Sequence, residues 1–148
     1  MVEFDLEQTY DVIVCLFSSI GYVRTAENLV RAISCFRRHL ADDGLVILEP
    51  WFRLDTWQPA GKVTMLTAET ELGKICCMST SSMTGLRSVI DFHYLIGTTG
   101  EVRYLHERHE LGLFTEAEII AGFAQAGLTA VYHENGFSGK SIYIAHRL

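Results

Sequence analysis

Two short segments place polar and small residues where apolar runs end. The first run, Asp11-Val12-Ile13-Val14-Cys15-Leu16-Phe17, leads into Ser18-Ser19-Ile20-Gly21-Tyr22. The second, Leu45-Val46-Ile47-Leu48, leads into Glu49-Pro50-Trp51-Phe52. Continuous apolar runs of this kind suit strands covered on both faces, as in a parallel sheet. The carboxyl ends of such strands are where open α/β sheets place ligands. Ser18, Ser19 and Gly21 let a ligand approach the backbone, and they equally make an ordinary turn. A carboxyl at Glu49 beside the Trp51 indole suits orienting an ammonium group or removing its proton. The alternative is that Glu49 caps a neighbouring helix or faces water.

The histidines and cysteines do not assemble into a metal site. His106 and His109 fall in a strand pattern, where they face opposite ways, so no metal is expected. An imidazole is well suited to take a proton near neutral pH, so a histidine of this group suits a base for a bound amine better than a metal ligand. Cys15 and Cys35 lie on apolar faces, and the adjacent Cys76 and Cys77 point to opposite sides of a strand. All four cysteines read as packing residues without disulfides. No Ser-His-Asp or Cys-His nucleophile signature is present.

The elements that must position these groups are readable from periodicity. Thr25 to Leu40 predicts a helix, with Leu29, Ile33, Phe36 and Leu40 at helical spacing, Thr25 as cap and Arg37-Arg38-His39 at its carboxyl end. Asp42-Asp43-Gly44 predicts the turn into the second strand. Strand, helix and strand then form a right-handed crossover with two parallel neighbours. From Trp57 to Glu110 the character changes. Val63–Ala68, Gly73–Ser79, Leu86–Ile96 and Val102–Leu111 predict strands with short turns, Gly97-Thr98-Thr99-Gly100 among them, and hence an antiparallel meander. Thr115-Glu116-Ala117-Glu118 is a capping box opening a second helix. Leu128–His133 and Ser141–Arg147 predict a closing antiparallel pair.

With 148 residues, 49% of them apolar, 20% charged and only two prolines, the chain is long enough to bury a core and its composition argues against disorder. A formal charge of −6 argues against a nucleic-acid surface. No charged-then-apolar leader opens the sequence and no apolar run approaches spanning length, so a cytoplasmic protein with no membrane contact is expected.

The segments Leu16 to Tyr22, Leu48 to Phe52, Leu113-Phe114-Thr115 and Ser138-Gly139-Lys140 together resemble the class I S-adenosylmethionine-dependent methyltransferases. Among them they are most like the N,N-dimethyltransferases of nucleotide-linked amino sugars. The resemblance implies an α/β, partial Rossmann-like class I methyltransferase fold with an antiparallel β insertion. Residues 1–56 and 112–148 would form the α/β core and 57–111 the insertion, which in the family helps cover substrate and form a dimer. It implies N-methylation of a small amine, with S-adenosyl-L-methionine approached by Leu16, Phe17 and Ser18. Tyr22, where the family places a side chain near the reacting amine, either holds that amine or only packs. Glu49 and His109 would join it as catalytic residues. Ser19, Trp51, His93, Ser138 and Lys140 would line the substrate. Lys140 stands where the family often has Arg; it suits a diphosphate, or is a solvated loop lysine.

The family's Gly-rich cofactor loop and its ribose-binding acidic residue are missing. The twelve glycines never form a Gly-x-Gly-x-x-Gly pattern. Met1 to Leu6 resembles the segment before the family's fourth strand. Met1 is therefore expected to be an internal methionine read as a start, and the chain the carboxyl-terminal part of such an enzyme. Its cofactor site should be incomplete, and a homodimer or a cofactor-binding subunit is the expected partner. The alternative is a catalytically inactive remnant acting as a substrate-binding or dimerisation module.

Overall fold

The computed structural model describes residues 1–59, 63–137 and 140–148. The chain divides into two units, Met1–Trp57 with Leu111–Leu148, and Gln58–Glu110.

The first unit opens with β1 (Tyr10–Cys15), a single-turn 3-10 helix (Ser19–Val23), α1 (Ala26–Arg38) and β2 (Leu40–Leu48). β1 and β2 are parallel, in a register that sets Val14 beside Ile47 and Cys15 beside Leu48. The Thr25 hydroxyl accepts the Asn28 amide and starts α1. Beyond the insertion come α2 (Glu116–Gln125), β7 (Leu128–His133) and β8 (Ile142–Arg147). The sheet order is β1-β2-β8-β7, with β8 antiparallel to both its neighbours. This is an α/β arrangement with a closing antiparallel pair.

α1 and α2 pack together over one face of this sheet. Ile33, Phe36, Ile119 and Phe123 are buried with Val46, Leu48, Tyr143 and Ala145 of the strands. Gly122 permits the helices to approach: a Cβ there would stand 3.1 Å from Ile33 Cδ1. The capping box forms as expected, with the Thr115 hydroxyl accepting the Glu118 amide while the Glu118 carboxyl accepts the Thr115 amide.

Three sequence expectations meet a different structure. Asp42-Asp43-Gly44 is not a turn before β2 but a bulge inside it: Tyr10 pairs with Leu40 and Val12 with Leu45. Arg147 secures the bulge, donating to the Ala41 and Leu40 carbonyls and pairing with Asp42. β2 stops at Leu48 and does not run to Phe52, since Pro50 has no amide to continue a ladder. The helix predicted to run to Leu40 ends at Arg38, and Leu40 opens β2. β1, with its continuous apolar run, is the edge strand of this sheet. Val12 and Val14 are more than half exposed there, and Leu45 and Val131 continue the open side.

The second unit is a four-stranded antiparallel meander, β3 (Thr64–Thr70), β4 (Gly73–Thr84), β5 (Arg87–Thr98) and β6 (Glu101–Gly112), in that order across the sheet. Cross-strand polar contacts line it. Asp91 accepts from His106 at 3.0 Å and from Arg108 at 3.0 Å. No helix of the described residues is long and apolar enough to cross a membrane.

Two measurements check this account. Thr115→Ala should lower the unfolding free energy by about 1 kcal/mol in urea titration, since it orphans amides at the start of α2. The Asp91 carboxyl lies below its ordinary value of 3.8, first because His106 hydrogen-bonds to it and then because the Arg108 charge is close. A carboxyl so depressed stabilises the fold above its ordinary value, and that contribution is lost as the pH falls through the depressed one. Thermal melts of Asp91→Asn should therefore fall off less steeply on acidification than those of the wild type.

Candidate functional site

The site is built where β1 and β2 end side by side. The Glu49 amide donates to the Cys15 carbonyl at 2.8 Å, carrying the parallel pairing one residue past β2. From there β1 turns away through two consecutive left-handed residues, Phe17 (φ 52°) and Ser18 (φ 62°). Each costs a non-glycine residue on the order of 1–2 kcal/mol, so neighbouring groups must hold the kink. Three contacts do so. Glu49 Oε2 accepts the Phe17 amide at 3.2 Å. The Ser18 hydroxyl donates to the Pro50 carbonyl at 3.1 Å. The Ser19 hydroxyl donates to the Leu16 carbonyl at 2.5 Å. The kink buries Ser18 and turns the Phe17 side chain outward, 83% exposed.

A cation completes this corner from the far end of the chain. Lys140 Nζ donates to Ser18 Oγ at 3.0 Å and stands 4.6 Å from the Trp51 ring centroid and 5.3 Å from that of Phe52. Aromatic faces attract an ammonium group, so the two rings form a seat for it. Trp51 and Phe52 meet edge to face at 4.6 Å. Beside them lies a cleft of about 210 Å³ lined by Trp51, Phe52, Arg53, Tyr132, Glu134 and Lys140. Arg53 is held by both carboxyl oxygens of Asp55 at 2.8 and 3.0 Å and by Glu116 at 3.4 Å. Its guanidinium is pushed still higher, chiefly by the Asp55 hydrogen bond. Such a corner, with a cation over aromatic walls beside a cleft, can hold an anionic group next to a flat or apolar one. A larger hollow of about 480 Å³ on the second unit, around Thr67, Cys76 and Leu95, gathers no comparable set of donors.

Of the residues singled out in the sequence, Phe17, Ser18, Glu49, Trp51 and Lys140 meet at this corner. Leu16 is half-buried beside it and Tyr22 half-exposed on the 3-10 helix. Ser19 is there too, with its hydroxyl engaged by Leu16. Ser138 lies outside the described residues. His93 and His109 belong to the second unit. His93 Nδ1 contacts the Tyr104 hydroxyl at 2.6 Å and its ring stacks on His106 at 4.6 Å. His109 lies 3.5 Å from Glu107 and edge-on to Phe92 at 5.3 Å. Sequence reasoning missed Arg53, Phe52 and the Pro50 carbonyl. The Arg53-x-Asp55 spacing was the available signal for the first.

No family model matches the chain. It is 32% identical over 145 residues to the dTDP-3-amino-3,4,6-trideoxy-alpha-D-glucopyranose N,N-dimethyltransferase of Streptomyces venezuelae, covering 97% of this chain and 61% of that one. It is 31% identical over 144 residues to the dTDP-3-amino-3,6-dideoxy-alpha-D-glucopyranose N,N-dimethyltransferase of Streptomyces fradiae, covering 97% and 56%. Among solved structures, Streptomyces venezuelae DesVI superposes with a TM-score of 0.92 at 30% identity, over 99% of this chain and 62% of the other. CalS10, an amino pentose methyltransferase from Micromonospora echinaspora solved with S-adenosylmethionine, gives 0.87 at 28% identity, over 99% and 62%. The homologues are thus nucleotide-sugar N,N-dimethyltransferases, and the fold is part of the Rossmann-like class I methyltransferase fold. The chain spans between 56% and 61% of the length of these two curated relatives.

Cys15 ends β1 directly before the kink, and burial pushes its thiol up to about 11. At pH 8 about one molecule in a thousand then carries the thiolate there. Iodoacetamide at that pH should label the half-exposed Cys76 and Cys77 of the native protein. Mass spectrometry should find Cys15 labelled only after denaturation.

Proposed function

We propose that this chain provides the substrate-facing part of an S-adenosylmethionine-dependent N-methyltransferase acting on a nucleotide-linked amino sugar. The observation that carries the reading is the seat of Lys140 on Ser18, Trp51 and Phe52 at the carboxyl ends of β1 and β2. It supports the reading because the relatives are named as dimethyltransferases of dTDP-linked amino sugars, whose diphosphate calls for a cation. Lys140 would meet the diphosphate as a point charge, and Trp51 would wall the bound sugar nucleotide. Tyr22 would hold the amine by its phenol. The nitrogen must be unprotonated and aligned, so the contribution expected of these residues is orientation and not covalent chemistry.

S-adenosylmethionine, when bound, supplies the methyl group on a sulfonium sulfur. The residues present fit one wall of a site for it. Leu16, the exposed Phe17 ring and the Ser18 backbone offer an apolar shelf at a strand end. Glu49, the acidic residue at this corner, is turned onto the Phe17 amide and does not offer the ribose contact the family requires. The 148-residue chain should therefore hold the cofactor weakly.

A second reading, a binding or dimerisation module without activity of its own, draws on the edge strand. β1 pairs on one side only among the described residues, and Val12 and Val14 are exposed beside it. An unpaired edge of this kind is a template for another chain. Under either reading we expect a second copy or a cofactor-binding polypeptide to cover it.

Calorimetric titration of the chain with thymidine diphosphate should show saturable binding that Lys140→Ala weakens at least tenfold. A bound diphosphate unaffected by that substitution would overturn the placement of the substrate. S-adenosylhomocysteine should bind poorly in the same experiment, and a tight complex with monomeric chain would overturn the one-wall account. Sedimentation of the chain as a monodisperse monomer would count against a covered edge.

A further inference from the structure

We infer that Glu49 is a positioning residue, setting the Phe17–Ser18 kink and through it the place of the Lys140 ammonium. This deepens the reading above and rests on it for the identity of the ligand. Glu49 is 1% exposed, and one of its carboxyl oxygens accepts the Phe17 amide at 3.2 Å. Its backbone amide is bound to the Cys15 carbonyl. Glu49 thus ties the end of β2 to β1 on both sides of the point where β1 leaves the sheet. The carboxyl tie falls on the amide of the first of the two left-handed residues, Phe17.

The second left-handed residue passes the constraint onward. Ser18 is buried, and in its left-handed conformation its hydroxyl both donates to the Pro50 carbonyl and accepts from Lys140. A hydroxyl has one proton to donate, so the bond to Pro50 fixes its lone pairs toward the lysine. Lys140 is then located by Ser18 on one side and by the Trp51 and Phe52 rings on the other. Trp51 and Phe52 follow Glu49 by two and three residues, so the aromatic seat and the serine are both referenced to the same strand end. Relaxing the Phe17 amide bond frees two residues from a disfavoured region. The Ser18 hydroxyl would then leave Lys140.

A glutamine oxygen still accepts the Phe17 amide, and a leucine side chain does not. Native-state amide exchange and thymidine diphosphate affinity are read together for Glu49→Gln, Glu49→Leu, Ser18→Ala and Lys140→Ala. We expect Glu49→Gln to keep Phe17 protected and to bind within threefold of wild type. Glu49→Leu should lose Phe17 protection at least tenfold and weaken binding as much as Lys140→Ala does. The combination of Glu49→Leu with Lys140→Ala should add less than threefold to either change, because both act through one ammonium. Should Glu49→Leu fail to fold, Ser18→Ala carries the same test from the next link: it should weaken binding with Phe17 protection intact. The inference is overturned by Phe17 protection surviving Glu49→Leu, by binding untouched in Ser18→Ala, or by Glu49→Gln binding as poorly as Lys140→Ala while Phe17 stays protected. Wild-type chain that fails to bind thymidine diphosphate would remove the proposed substrate. Glu49 would then be judged on Phe17 exchange and on the Lys140 ammonium resonance in the same variants, where an unmoved resonance in Glu49→Leu overturns the inference.

Discussion

Everything at the candidate site depends on the two parallel strands ending at the same height. The register that sets Cys15 beside Leu48 is extended one step by the Glu49 amide on the Cys15 carbonyl. Without that alignment the Phe17 amide would not meet the Glu49 carboxyl, nor the Ser18 hydroxyl the Pro50 carbonyl. Parallel strands need a crossover connection, and α1 supplies it in 13 residues between a threonine cap and a basic last turn. The burial of Leu29, Ile33 and Phe36 holds the crossover against the sheet, and so the register is a product of the core and not of the loop that uses it.

The bulge within β2 works toward the same end. Leu40 pairs with Tyr10 and Leu45 with Val12, so extra residues of β2 are looped out early in the strand and the remaining pairs run in regular step to Leu48. Arg147, at the end of β8, binds the looped carbonyls. Gly44 allows the return, because a Cβ there would stand 2.9 Å from the Asp11 carbonyl oxygen. An arginine on β8 and a glycine within β2 itself thus decide where β2 resumes its ladder with β1, and with it where Glu49 arrives.

The sequence made the elements legible and left the site's contacts obscure, for a reason that can be traced residue by residue. The apolar runs, the spacing of Leu29, Ile33 and Phe36, and the Thr115–Glu118 box are local patterns, and the structure contains the elements they predict. Asp42-Asp43-Gly44 carries turn chemistry, yet Arg147 lies over a hundred positions away and converts the turn into a bulge. Phe17 and Ser18 give no sign of a left-handed backbone, since the residues that favour it are Gly and Asn. The conformation is imposed from Glu49, 32 positions on. Lys140 and Ser18 are separated by 122 positions. Small residues, a carboxyl and a lysine at strand ends were visible as candidates; which of them touch was a property of the fold.

That distinction bears on what a carboxyl at a strand end can be asked to do. A group exposed to ligand and a group that holds backbone make opposite demands. The first needs an oxygen directed outward, and the second spends it on an amide. Glu49 is almost wholly buried with an oxygen on the Phe17 amide, while the residue its kink exposes is an aromatic side chain. The strain of two left-handed residues is a stored constraint, stable only while its anchor is in place. What the anchor yields is an outward Phe17 ring on one side of the strand end and an oriented lysine on the other, two kinds of contact from one bend in the chain. For a reaction that asks of its protein mainly that two partners be aligned, a bend fixed in this way is itself the relevant chemistry.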